Sequence, residues 1–158
     1  LADAHFLDFV KTQLQVGKIH GEKICFEITE TATISNLSRA MKFIASLKRL
    51  GCQFVLDDFG SGLSSFDYLK NLTVDYLKIN GISVMDFVED PIDHAMVKSI
   101  NEIGQVVGIK TIAEFVETDE IKSMLREIGV NYVQDYGIGK PLPFKELLYQ
   151  SFNITKLN

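Results

Sequence analysis

The stretch GCQFVLDDFGSG, residues 51 to 62, decides how the chain is read. A glycine opens it, an apolar β-like run follows, two adjacent acids end that run, and a glycine-rich loop comes next. The pattern recurs in GEKICFE from Gly21 and GIKTIAE from Gly108, and in each case a carboxylate stands six residues after the glycine: Glu27, Asp57 and Glu114. GVNYVQD from Gly129 is a fourth copy, with Asp135 at that offset and Gln134 one place earlier. Glycines in these positions fit helix ends, where a left-handed residue costs little without a Cβ.

The intervening segments supply helices. From Ile92, the apolar residues Met96, Ile100, Ile103 and Val107 recur at helical spacing, and Asp90-Pro91 offers an N-cap with proline at the first helical position. Ile34 to Leu50 carries Leu37, Met41, Ile44 and Leu47 on one face, with Lys48 and Arg49 near its C-terminal end, where they suit the helix dipole. Thr118 caps a shorter helix bearing Ile121, Leu125 and Ile128, and Phe6, Val10 and Leu14 mark another near the start. A fifth strand, VDYLKIN from Val74 to Asn80, follows a helical segment containing Phe66 and Leu69.

Short apolar strands alternating with helices predict a parallel sheet covered by helices. An open doubly wound sheet would carry a glycine-rich phosphate loop after its first strand, and none is present. A barrel instead gathers polar residues from many strand ends at one rim, and Glu27, Asp57, Lys78, Glu114 and Gln134 each end a different strand. Eight strands need about 250 residues. The expectation is therefore an α/β fold, an incomplete (β/α)₈ barrel of about five parallel strands with covering helices, occupying residues 1–158 as one partial domain.

Composition narrows the function. The chain has 158 residues, 46% of them hydrophobic, enough for a sizeable core. Its formal charge of −5 and lack of a Lys/Arg cluster exclude a nucleic-acid polymer as partner. No apolar run approaches a membrane span and no signal-peptide pattern opens the chain, so a cytoplasmic setting without direct membrane insertion is expected, with any tether lying in upstream segments. Cys25 and Cys52 lie in β-like runs without metal-ligand spacing and are expected to be buried thiols. His5, His20 and His94 show no ligand pairing and are assigned surface or helix-end places.

Three acids at matching heights on different strands, with Asp58 beside one of them, would repel in a shared cleft unless cations compensated them. Hard oxygen ligands favour Mg²⁺, Mn²⁺ or Ca²⁺, and carboxylates bridging two such ions are the usual apparatus of phosphoester hydrolysis. In an extended strand Asp57 and Asp58 point to opposite sides, so a turn at Phe59-Gly60 is expected to aim both at metal. Lys78 serves either as a structural counter-ion or as the group that orients an attacking water and offsets phosphate charge.

CFEITET (25 to 31), LDDFGSGLSSFDYLK (56 to 70), VDYLKING (74 to 81), TIAEFVET (111 to 118) and VQDYGIGKPLPF (133 to 144) together resemble the EAL domains, bacterial phosphodiesterases that linearise cyclic di-GMP. The resemblance implies a variant (β/α)₈ barrel that uses Mg²⁺ or Mn²⁺. It implies metal-ligand roles for Glu27, Asp57, Asp58 and Glu114, with Glu114 and Lys78 also acting on the hydrolytic water. Gln134 matches the glutamine near metal and substrate, and Pro141 and Leu142 border the ligand pocket. Glu30 is similar to the acid that anchors the loop from Phe59 to Ser65, which couples the site to dimerisation in relatives. Glu117 matches the second acid of the AEFVE stretch.

The chain departs from the family pattern in three places. The Glu-Ala-Leu tripeptide is absent, and with it a metal-ligand glutamate and an asparagine ligand. Asn80 and Asp135 stand where relatives carry aspartate and glycine. The implied function is the C-terminal part of a cyclic di-GMP-specific phosphodiesterase working by two-metal hydrolysis, with the 158 residues alone inactive. The alternatives are a degenerate domain that senses cyclic di-GMP and a protein-interaction module. Open strand edges predict a homo-oligomer or domain-swapped dimer.

Overall fold

A computed structural model describes residues 4–60 and 66–143. Its strands are β1 (Cys25–Thr29), β2 (Gln53–Phe59), β3 (Tyr76–Ile79), β4 (Lys110–Ala113) and β5 (Tyr132–Val133), and they stand in the sheet in that order. The helices are α1 (Ala4–Val16), α2 (Glu30–Ser35), α3 (Leu37–Lys48), α4 (Gly81–Met85), α5 (Pro91–Val107) and α6 (Asp119–Glu127). The α/β class with five strands agrees with the sequence reading. No helix among the described residues is long and apolar enough to cross a membrane. The chain divides into two compact units, one reaching Leu77 and one starting at Lys78.

In the first unit β1 and β2 run parallel, in register from Cys25 opposite Gln53 to Thr29 opposite Asp57. Alternation puts Phe26 and Ile28 on one face with Phe54 and Leu56. That face is the core side: Phe54 and Leu56 are fully buried, as are Ile44 and Leu47 of α3. The rings of Phe26 and Phe54 stack at 5.5 Å, and Phe43 meets Phe54 edge-on at 6.1 Å. Burying each such side chain stabilises by about 1.5–3 kcal/mol.

The helix expected from Ile34 to Leu50 is two helices. Asn36 breaks the run at φ −151° and ψ 66°, and its side chain caps α3 by accepting from Arg39 N at 3.3 Å. Cys52 is buried as expected, but Cys25 is exposed, because it lies on the face of β1 opposite Phe26 and Ile28. Gly51, Gly108 and Gly129 adopt positive φ, whereas Gly21 is needed for close approach: a Cβ there would lie 1.9 Å from the Leu50 carbonyl oxygen. Asp75, just before β3, takes Phe54 N at 2.9 Å on one oxygen and Lys48 Nζ at 2.6 Å on the other.

In the second unit β4 and β5 are parallel, with Ala113 opposite Val133. Asp90 caps α5 with Pro91 at its first turn, and Thr118 caps α6, as the sequence indicated. The buried seam of α5 is not the expected one. It consists of Val97, Ile100, Asn101 and Gly104, while Ile92 and Met96 are exposed. Polar contacts explain the rotation. Fully buried Asn101 donates to Ile128 O at 2.7 Å and accepts from Thr111 Oγ1 at 2.5 Å, and Asn131 Oδ1 accepts from Thr111 N at 2.8 Å. His94, in the first turn of α5, stacks on buried Phe87 with centroids 4.6 Å apart.

Candidate active site

The first unit holds two of the strand-borne acids on one face. Glu27 opposes Val55 and Asp57 opposes Thr29, so the parity of the register directs both side chains to the side away from Phe54 and Leu56. Glu27 is exposed and Asp57 half-buried. The chain departs from extended geometry at Asp58, where φ is +58°, one residue before the expected turn. Asp58 N donates to Asp57 Oδ1 at 3.0 Å, and the Asp58 side chain is exposed. The left-handed step lets Phe59 be buried completely, with its ring 5.5 Å from Phe66.

Glu30, at the first position of α2, is 3% exposed. Its Oε2 accepts from Gly60 N at 3.3 Å and its Oε1 accepts from the Tyr68 hydroxyl. One buried carboxylate thus holds the residues on either side of segment 61–65, which itself lies outside the described residues. Burial, then the hydrogen bond to Glu30 and its charge, push the Tyr68 hydroxyl pKa well above the ordinary tyrosine value.

In the second unit Lys78 and Glu114 form an ion pair, Nζ to Oε1 3.0 Å, with side chains 6% and 21% exposed. A lysine so buried requires a partner of opposite charge. Asn80, the departure noted in sequence, caps α4 through Ile82 N at 3.0 Å, a task an amide oxygen performs as well as a carboxylate. Phe115 follows Glu114 at φ +55° and lies against Gly81.

Gln134 N donates to Ala113 O at 2.9 Å, which extends the β4–β5 ladder by one step and sets Gln134 level with Glu114. Gln134 is exposed. Asp135 accepts from Tyr136 N on one oxygen, and its Oδ2 is buried without a hydrogen-bond partner among the described residues. Glu117 is exposed and lines a cavity of about 210 Å³ with Thr118, Lys122 and Gly137. Pro141 is exposed and Leu142 half-buried.

The sequence reading missed three contributors. Tyr68 was hidden in a segment read only for helix, and Phe115 and Gly81 form a contact that no local pattern encodes. The carboxylates of Glu27 and Asp57 are hard donors suited to Mg²⁺ or Mn²⁺. Among the described residues no group of three or more Asp, Glu, His or Cys side chains is gathered for a metal ion. What Glu27 and Asp57 have in common is donor chemistry and a face of the sheet.

The EAL domain family matches residues 1–141. Cyclic di-GMP phosphodiesterase PdeB of Shewanella oneidensis is 47% identical over 137 residues, which is 87% of this chain and 16% of PdeB. Cyclic di-GMP phosphodiesterase PdeA of Borreliella burgdorferi is 38% identical over 90% of the chain and 21% of its own length. The chain thus spans well under a third of either relative. Among solved structures, the PaMucR phosphodiesterase in complex with c-di-GMP superposes with a TM-score of 0.87 at 30% identity, covering 92% of this chain and 59% of that one. Matched along most of its length in sequence and in backbone, the chain belongs to the EAL domain family.

Proposed function

We propose that this chain is part of a domain that hydrolyses a phosphodiester bond of cyclic di-GMP, the molecule named in the PdeB and PaMucR descriptions. The observation that carries the reading is the buried Lys78–Glu114 ion pair at a strand exit, 3.0 Å between Nζ and Oε1. An ammonium has three protons, so a single bond to a carboxylate does not exhaust its donors. Lys78 directs one toward the attacking water while Glu114 accepts a proton from that water. The same cation offsets negative charge that builds on the phosphoryl oxygens.

Glu27, Asp57, Asp58 and Glu114 are the oxygen donors assigned to Mg²⁺ or Mn²⁺. When bound, the metal supplies Lewis acidity toward the phosphoryl group and lowers the pKa of its bound water. Gln134, Pro141 and Leu142 are assigned to substrate contact. Glu30 and Glu117 are assigned to loop anchoring, Glu30 through Gly60 and Tyr68.

The test is turnover of cyclic di-GMP by the full-length protein with Mn²⁺, for wild type, Lys78→Met and Glu114→Gln. Both variants should lose at least about 100-fold in kcat. Unchanged kcat in either would overturn the assignment. Saturable binding by a wild type that never cleaves would favour the sensing alternative.

A further inference from the structure

We propose that Phe115 is a positioning residue that holds Glu114 against Lys78, an inference that rests on the reading above. Phe115 has φ +55°, a backbone region where a bulky side chain is an outlier. Its ring lies directly on Gly81: a Cβ built there would be 1.9 Å from Phe115 Cδ2 and 2.5 Å from Cε2. Phe115 is also 47% exposed, so burial in the core does not account for an aromatic at this position. A strained residue persists where its surroundings over-determine it, and the Gly81 seat does that here.

The seat is next to the chemistry. Gly81 stands three residues after Lys78 and directly after Asn80, which is fixed as the cap of α4. Phe115 stands directly after Glu114. The exits of β3 and β4 are therefore joined twice, by the ion pair and by the ring on the glycine. If the ring is removed, the left-handed backbone loses its support, the Glu114 Cα is free to turn, and the carboxylate leaves Lys78. Phe115 touches neither water nor phosphate in this scheme and acts through Glu114.

The experiment compares wild type, Phe115→Ala, Phe115→Tyr and Gly81→Ala in the full-length protein. Phe115→Ala and Gly81→Ala should lower kcat about 10- to 100-fold, the cost of a misplacement near 1 Å. KM should stay within about threefold, because ground-state binding is untouched. Phe115→Tyr keeps the ring and should keep kcat. Calorimetric affinity for cyclic di-GMP should stay near wild type, and crystal structures of the Ala variants should show the Lys78–Glu114 separation beyond about 4 Å.

Wild-type kcat in Phe115→Ala, or a kcat loss with the pair still at hydrogen-bond distance, would overturn the proposal. If the wild type does not hydrolyse cyclic di-GMP, the proposed function fails and the crystallographic separation alone decides the clamp. If Phe115→Ala does not fold, Phe115→Leu, which fills the seat without a planar ring, is judged by the same separation.

Discussion

At the exit of β2, Asp57 is followed by Asp58 at φ +58° and then by the fully buried Phe59; at the exit of β4, Glu114 is followed by Phe115 at φ +55° and then by Val116, which is 2% exposed. Both sites run acid, left-handed residue, buried apolar anchor. The left-handed step breaks the alternation of an extended strand, so the acid and the anchor can each satisfy a different environment. What differs is how the step is held. Aspartate visits this region more readily than most residues, and Asp58 stands exposed. Phenylalanine does not, and Phe115 is seated on Gly81. The carboxylates differ as well: one oxygen of Asp57 takes a backbone N–H, whereas Glu114 faces a lysine. In the proposed function the β2 exit is assigned to a divalent cation and the β4 exit to proton handling.

The largest effect that can break this contrast is functional. Asp57→Asn in the full-length protein should cut Mn²⁺-dependent turnover by more than the 10- to 100-fold (about 1.4–2.7 kcal/mol) that loss of an outer-shell partner costs. Raised Mn²⁺ should restore part of that loss but none of the loss in Lys78→Met. Equal rescue of both variants would show that the two exits do not divide the work.

A smaller effect concerns the clip at the β2 exit. Tyr68→Phe removes a hydrogen bond to a buried charged group and should cost about 1.5–3 kcal/mol in denaturant unfolding. The pH dependence follows in sign. Because the native Tyr68 pKa lies above its unfolded value of about 10, the native state keeps a proton that the unfolded chain gives up. The wild-type advantage over Tyr68→Phe is therefore full below pH about 10 and shrinks as pH rises above it. Stability curves of the two proteins from neutral to alkaline pH check this.

The remaining pair of effects compares the left-handed steps themselves. Gly81→Ala places a methyl in the ring seat and should destabilise by about 1–3 kcal/mol, as overpacking does. Asp58→Gly meets no such seat. It should change stability by less than about 1 kcal/mol, because relief of the left-handed strain is offset by the entropy that glycine loses on folding. Reversed magnitudes in parallel urea titrations would refute the difference between the two exits.

Much of the scaffold is legible in the sequence. The glycine offset marked the strands that carry Glu27, Asp57 and Glu114, and Asp90 and Thr118 announced their helices through side-chain oxygens that reach only local backbone. Failures came where tertiary contacts override local rules. The apolar stripe of α5 misled because Asn101 faces the core, and its hydrogen bonds lie 10 and 27 residues away in sequence. The offset lands on Asp135, one place past the residue level with Glu114, because Val133 follows Gly129 one residue sooner than its partner Ala113 follows Gly108. Asp58 and Phe115 carry no turn signature, so their left-handed backbones were invisible, and Glu30 with Tyr68 spans 38 positions.

The polar knot of Asn101, Thr111 and Asn131 has a consequence for how this part of the protein opens. Its bonds run from α5 to β4 and on to the turn after α6, so none of these pieces can leave without stranding a buried amide or hydroxyl. Partial opening is thereby suppressed, and the pieces should come apart as one cooperative block. In deuterium exchange the Thr111 amide would be among the slowest in the chain, releasing its hydrogen only when the whole block melts.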